Sequence, residues 1–224
     1  MYFSALAAAK DAGIQAIELQ HGAIHRYHNH YCWEQDADIA YYPNELWCFG
    51  QSWIDQSYFP ANLKAKIYPA QHMLDLKKRL ASVTVKPNQV LVVSQKIVGI
   101  PLFQFTVELA RLRPDLTFVI KLHPAERYQD LLTYADGMVP ENLRVAEAGE
   151  NTYQLMAESK FQLGVSSTTL TEGLVFVNRV AIVPLPTFEY MDTAIVRKDA
   201  TLTQTPSIAA SKMNDEMDWC KEPE

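Results

Sequence analysis

Residues 87–124 read PNQVLVVSQKIVGIPLFQFTVELARLRPDLTFVIKLHP. Positions 89–94 (QVLVVS) are a short apolar run, the pattern of a strand buried on both faces. From 101 to 112 the apolar positions recur at helical spacing, and Pro114 stops the helix. Positions 116–122 (LTFVIKL) are a second buried strand, with His123-Pro124 at its carboxyl end. Strand, helix and strand in so short a span imply a right-handed crossover and a parallel sheet.

The same alternation continues on both sides. Downstream, helices are expected at 125–134, 152–159 and 168–176, and strands at 143–146, 161–165 and 180–184. Beyond about 198 the chain reads as a polar, poorly patterned tail. Upstream, an Ala-rich helix over 4–12 closes at Gly13 and is followed by a strand over 14–19. Residues 21–60, rich in His, Tyr and Trp and broken by Pro43, Gly50 and Pro60, read as a linker with short elements. A helix is expected over 71–82. The fold class is α/β, a Rossmann-like parallel sheet flanked by helices.

Composition limits what such a domain can do. Twenty basic against twenty-six acidic residues give a net charge of −6, which argues against a nucleic-acid or anionic-membrane binder. Apolar residues at 48% and charged residues at 21% describe a soluble globular chain rather than a disordered one. Cys32, Cys48 and Cys220 share no metal-type spacing and no CxxC, which points to a reducing, cytoplasmic compartment. The apolar start, MYFSALAAA, is too short for a membrane span and lacks the basic leader of a signal peptide.

Ligands of parallel sheets bind beyond the carboxyl ends of the strands. The residues there are Gln20-His21-Gly22, Gln95-Lys96, His123-Pro124, Ser166-Ser167 and Pro184-Leu185-Pro186, all polar but the last set. In Gly164-Val165-Ser166-Ser167-Thr168-Thr169-Leu170-Thr171-Glu172-Gly173 a strand runs into four hydroxyl residues at the start of a helix. Hydroxyls and free N–H groups at a helix N-terminus attract anions, and Glu172, one turn in, is within reach of a ribose diol. An ordinary Ser/Thr cap reads the same way. Pro124 suits the first turn of a helix and leaves His123 on the lip of the sheet, flanked by Lys121 and Arg127. Four of the six histidines fall between 21 and 30. No acidic residue separates His21 from His25 as in a hydrolytic zinc helix, so His21 reads as a base or phosphate contact at the Gly22 turn, and no metal is expected.

Taken in order, Gln20-His21-Gly22, Tyr42-Pro43-Asn44-Glu45-Leu46-Trp47-Cys48-Phe49-Gly50, Lys121-Leu122-His123-Pro124 and the 164–173 run resemble the donor-binding half of GT-B glycosyltransferases of bacterial surface-polysaccharide synthesis. Capsule-type sialyl- and Kdo-transferases and CDP-glycerol glycerophosphotransferases look most similar. They hold the phosphate and nucleotide of a cytidine-activated donor with a His-Pro and a Ser-Ser motif. The resemblance implies a nucleotide-sugar-dependent glycosyltransferase. Residues 61–198 would be the donor-binding domain, 1–60 a remnant of the acceptor lobe with its linker, and 199–224 a tail. Gln95, Lys121, His123, Pro124, Ser166, Ser167, Thr168 and Glu172 would hold the donor, and His21 would be catalytic. No cofactor is implied, the nucleotide-activated sugar being a substrate. The implied partners are that donor and a glycan acceptor, with a separate acceptor-lobe chain, a homo-oligomer or a peripheral membrane surface admitted. The acidic base that inverting sialyltransferases keep near the start of their first lobe has no counterpart, so a truncated or split form is expected. The alternatives are a non-catalytic nucleotide-binding domain and an enzyme like UDP-N-acetylglucosamine 2-epimerase, whose Asp-Ser-Gly-Gly loop is missing here.

Overall fold

Apolar side chains that alternate between two buried faces build the larger sheet. The computed structural model describes residues 3–34, 37–134, 139–147, 149–176 and 179–213. It divides into two units, residues 1–72 and 73–224.

The second unit holds six parallel strands: β4 (Lys86–Val93), β5 (Thr117–Lys121), β6 (Leu143–Val145), β7 (Ser159–Gly164), β8 (Arg179–Ile182) and β9 (Ala200–Leu202). Their order is β6-β5-β4-β7-β8-β9. Val90, Val92, Phe118, Ile120, Phe161 and Leu163 face one core, and Leu91, Val93, Val119, Val180 and Ile182 face the other. This period of two, buried on both sides, is why the strands read as continuous apolar runs. Helix α4 (Gly99–Leu112) buries Leu102, Phe103, Thr106, Val107, Leu109 and Ala110, the spacing of one helical face. Asn142 closes its end by donating to the carbonyls of Ala110, Arg113 and Leu116. The other helices are α5 (Tyr128–Leu132), α6 (Thr152–Glu158), α7 (Thr168–Gly173), α8 (Asp192–Val196) and α9 (Pro206–Lys212), the last packed on α4.

The first unit is a smaller parallel sheet, β1 (Ile17–Leu19), β2 (Glu45–Cys48) and β3 (Lys64–Ile67), in that order. Ile24, Tyr31, Tyr42, Leu46, Cys48 and Leu63 form its core. Helix α1 (Phe3–Asp11) ends as expected at Gly13, whose φ of +69° is the left-handed cap conformation. Helices α2 (Gln51–Asp55) and α3 (Gln71–Arg79) follow β2 and β3.

Three expectations need correction. Residues 21–60 are not a linker: β2 pairs with both β1 and β3, and the division of the chain falls after His72 rather than at 60. The tail expected from 199 begins as structure, because β9 adds an edge strand and Thr203 and Ala209 are fully buried. Cys220 lies outside the described residues. The helix expected over 125–134 starts only at Tyr128, because the chain first makes a tight turn at 123–126. Among the described residues no helix is long and apolar enough to cross a membrane.

Candidate functional site

Counted within the second unit, the strand order is 3-2-1-4-5-6, which reverses between β4 and β7. The helices that follow them, α4 and α7, pack into opposite cores, and in sheets of this order ligands bind in the crevice beyond the carboxyl ends of such neighbouring strands. Four loops meet there, after β4, β5, β7 and β8.

Gln95, directly beyond β4, reaches across that crevice. Its Oε1 accepts the Ser166 N–H at 2.9 Å and its Nε2 donates to Ser166 Oγ at 3.4 Å. Ser166 Oγ lies 2.7 Å from Thr187 Oγ1, in the loop after β8. Thr187 sits at φ 80° and ψ 1°. A β-branched residue there is strained by about 1 kcal/mol or more, and its bond to Ser166 helps to hold it. Gly164, at the end of β7, lets α7 lie close: a Cβ there would meet Leu170 at 3.0 Å and the Val93 carbonyl at 3.2 Å.

On the β5 side, the Glu126 carboxylate accepts the His123 N–H at 2.7 Å and the buried Ser94 hydroxyl at 2.9 Å. His123 Nδ1 accepts the Ala125 N–H at 3.1 Å. A neutral ring so bonded carries its proton on Nε2, which makes His123 a donor. Hydrogen bonds therefore connect the loops after β5 and β4, through Glu126 and Ser94, and the loops after β4, β7 and β8, through Gln95, Ser166 and Thr187. Gln95, His123 and Ser166 were expected here from the sequence. Ser94, Glu126 and Thr187 were not.

The remaining expected residues are engaged differently. Ser167 caps α7, accepting the Thr169 N–H at 3.3 Å. Thr168 is the first residue of α7, and Pro124 is exposed in the 123–126 turn. Lys121 donates to the Glu150 carbonyl at 2.6 Å, beyond β6. Burial, then the charge of Glu172 and its hydrogen bond, raises the Tyr153 phenol above its usual pKa. Arg144 grips Glu150 with two bonds of 2.8 Å, and its carboxyl is held down at about 2.

His21 stands exposed after β1 in the first unit, on a turn pinned by Gln20, whose Nε2 donates to the Gly22 carbonyl while its Oε1 accepts from Phe49 N–H. The rings of His25 and His28 are 5.5 Å apart, and those of His28 and His30 5.9 Å. Among the described residues no group of three or more His, Cys, Asp or Glu is arranged to hold a metal ion.

That cluster is expected to make the first unit less stable in acid. Burial, then the charge of His28, lowers His25 from 6.5 to about 4. Below pH 6.5 the unfolded chain binds a proton that the folded chain refuses, so stability is full above 6.5 and falls as the pH drops toward 4. For a part-buried ring we expect about 1 kcal/mol. Urea unfolding followed by tryptophan fluorescence should lose that amount mostly between pH 6.5 and 5, and His25→Leu should flatten the slope. An unchanged slope in that variant would assign the loss elsewhere.

No protein-family model and no curated protein matches the sequence. Solved structures match it in fold. UDP-GlcNAc 2-epimerase from Neisseria meningitidis, bound to UDP-GlcNAc, gives a TM-score of 0.60 at 16% identity, over 95% of this chain and 64% of that one. The corresponding epimerase from Methanocaldococcus jannaschii gives 0.59 at 10% identity, over 97% and 68%. MurG from Acinetobacter baumannii gives 0.56 at 16% identity, over 95% and 61%. At these identities the likeness is one of fold, and that fold is GT-B. The chain spans 61–68% of the length of these structures.

Proposed function

We propose that the second unit holds the phosphate of a nucleotide-activated sugar at the crevice between β4 and β7, and that the chain serves a glycosyltransferase of the capsule or surface-polysaccharide type. The observation that carries this reading is the Gln95–Ser166–Thr187 tie across the strand-order reversal, with His123 offering Nε2–H from the same edge. Hydroxyls and a neutral imidazole donor suit a leaving phosphate whose charge grows as the bond to the anomeric carbon breaks. The His-Pro and Ser-Ser pairing favours a CMP- or CDP-activated donor. His21 is the proposed catalytic residue, a glycan the acceptor and the cytoplasm the compartment.

A thermal-shift panel of CMP, CDP, UMP, UDP and GDP tests this. At about 100-fold saturation, binding to the folded state alone adds about 2.7 kcal/mol, and the cytidine nucleotides should shift the melt more than GDP. Stabilisation by UDP alone would favour the epimerase-like alternative. A flat response to all five at millimolar concentration would rule out a donor site.

A further inference from the structure

Glu126 has a structural setting that a surface carboxylate does not need. Its two oxygens are divided between loops of different strands: Oε1 takes the hydroxyl of Ser94, beyond β4, and Oε2 takes the main-chain N–H of His123, beyond β5. The turn closes on itself as well, through Glu126 N–H to the His123 carbonyl at 2.8 Å and Ala125 N–H to His123 Nδ1 at 3.1 Å. Gly99, the first residue of α4, leaves room for the carboxylate: a Cβ there would fall onto Glu126 Oε1. Carboxylate charge is favoured beside the first turn of a 14-residue helix.

We propose that Glu126 is a positioning residue for His123. By fastening the 123–126 turn to Ser94, in the room that Gly99 leaves at the head of α4, it keeps Nδ1 of the ring on the Ala125 N–H. The Nε2–H is thereby fixed as a donor toward an anionic phosphate ligand at the crevice. Glu126 itself touches no ligand. The inference rests on the phosphate reading above for its consequence, but the state of the ring is measurable without any ligand.

Two measurements test it. In the free protein near pH 8, nitrogen-15 shifts of the His123 ring should report one tautomer, protonated at Nε2, and Glu126→Ala should give a mixture. With CMP and CDP as probes, Glu126→Ala and His123→Ala should each weaken binding about 10- to 100-fold, the worth of one hydrogen bond to a charged group. The double variant should be no weaker than His123→Ala, because Glu126 acts only through that ring. Gly99→Ala keeps the carboxylate but fills its seat, and it should reproduce both effects if Glu126→Ala folds poorly. A ring unchanged in both variants, or losses that add in the double variant, would overturn the proposal. If the unsubstituted protein binds no nucleotide, the phosphate reading fails, and the ring measurement alone still decides what Glu126 does.

Discussion

Phe118→Ala is expected to cost the fold about 3–5 kcal/mol, the range for truncating a fully buried aromatic side chain. Phe118 is 0% exposed on β5, between β4 and β6, and belongs to the core under α4. Its register partners are Val90 and Leu143, both buried and both unable to swing into the vacated volume without leaving their own contacts. The loss is transfer free energy plus the cavity left behind, and for a domain of marginal stability it is a large fraction of the whole. Urea unfolding followed by circular dichroism checks it. Ile97→Ala, at a side chain 85% exposed in the loop after β4, should stay within about 0.5 kcal/mol. Comparable losses at the two positions would mean that the sheet is not the source of stability.

The contrast between those positions also explains what was legible beforehand. Val90 to Val93 and Phe118 to Ile120 are buried on both faces of a parallel sheet, so the strands appear as uninterrupted apolar runs, whereas their order in the sheet was not legible. β2 escaped because ELWC is four residues long among aromatics whose spacing fits no single period, and because its pairing is with strands 26 and 16 residues away. Parallel pairing of short strands leaves no local mark. Gln95, His123 and Ser166 could be singled out by their place at strand ends, the edge where parallel sheets bind their ligands. Glu126 falls in a stretch expected to be helical from 125, whereas the helix begins three residues later, at Tyr128. Thr187 lay one residue beyond an apolar Pro-Leu-Pro stretch, in a left-handed conformation that threonine rarely takes and no composition signals. Partners set by tertiary contact were thus the ones missed. Gly99, the first residue of α4, is the one hint in the sequence that a side chain approaches its backbone.

Ser166→Ala and Ser167→Ala, neighbours in sequence, should fail in different ways. Ser167 accepts an N–H of its own helix, so alanine there removes a cap and should cost about 0.5–2 kcal/mol of stability. Nucleotide affinity should change little. Ser166 is different: its hydroxyl caps nothing and meets Gln95 and Thr187 at the crevice. Alanine there should cost about 1 kcal/mol of stability, for the bond to Thr187 that is lost, while Gln95 Oε1 keeps the Ser166 main-chain N–H. Affinity for CMP or CDP should also fall, by about 1.5–3 kcal/mol, or roughly 10- to 100-fold. If one phosphate accepts from both Ser166 Oγ and His123 Nε2, the pair Ser166→Ala and His123→Ala will be non-additive in binding and additive in unfolding of the free protein. Calorimetric titration of the two single variants and the double variant measures the first, and urea unfolding the second. Additive losses in binding would mean that the two side chains do not share an anion. The β4–β7 crevice would then hold some other part of the ligand than its phosphate.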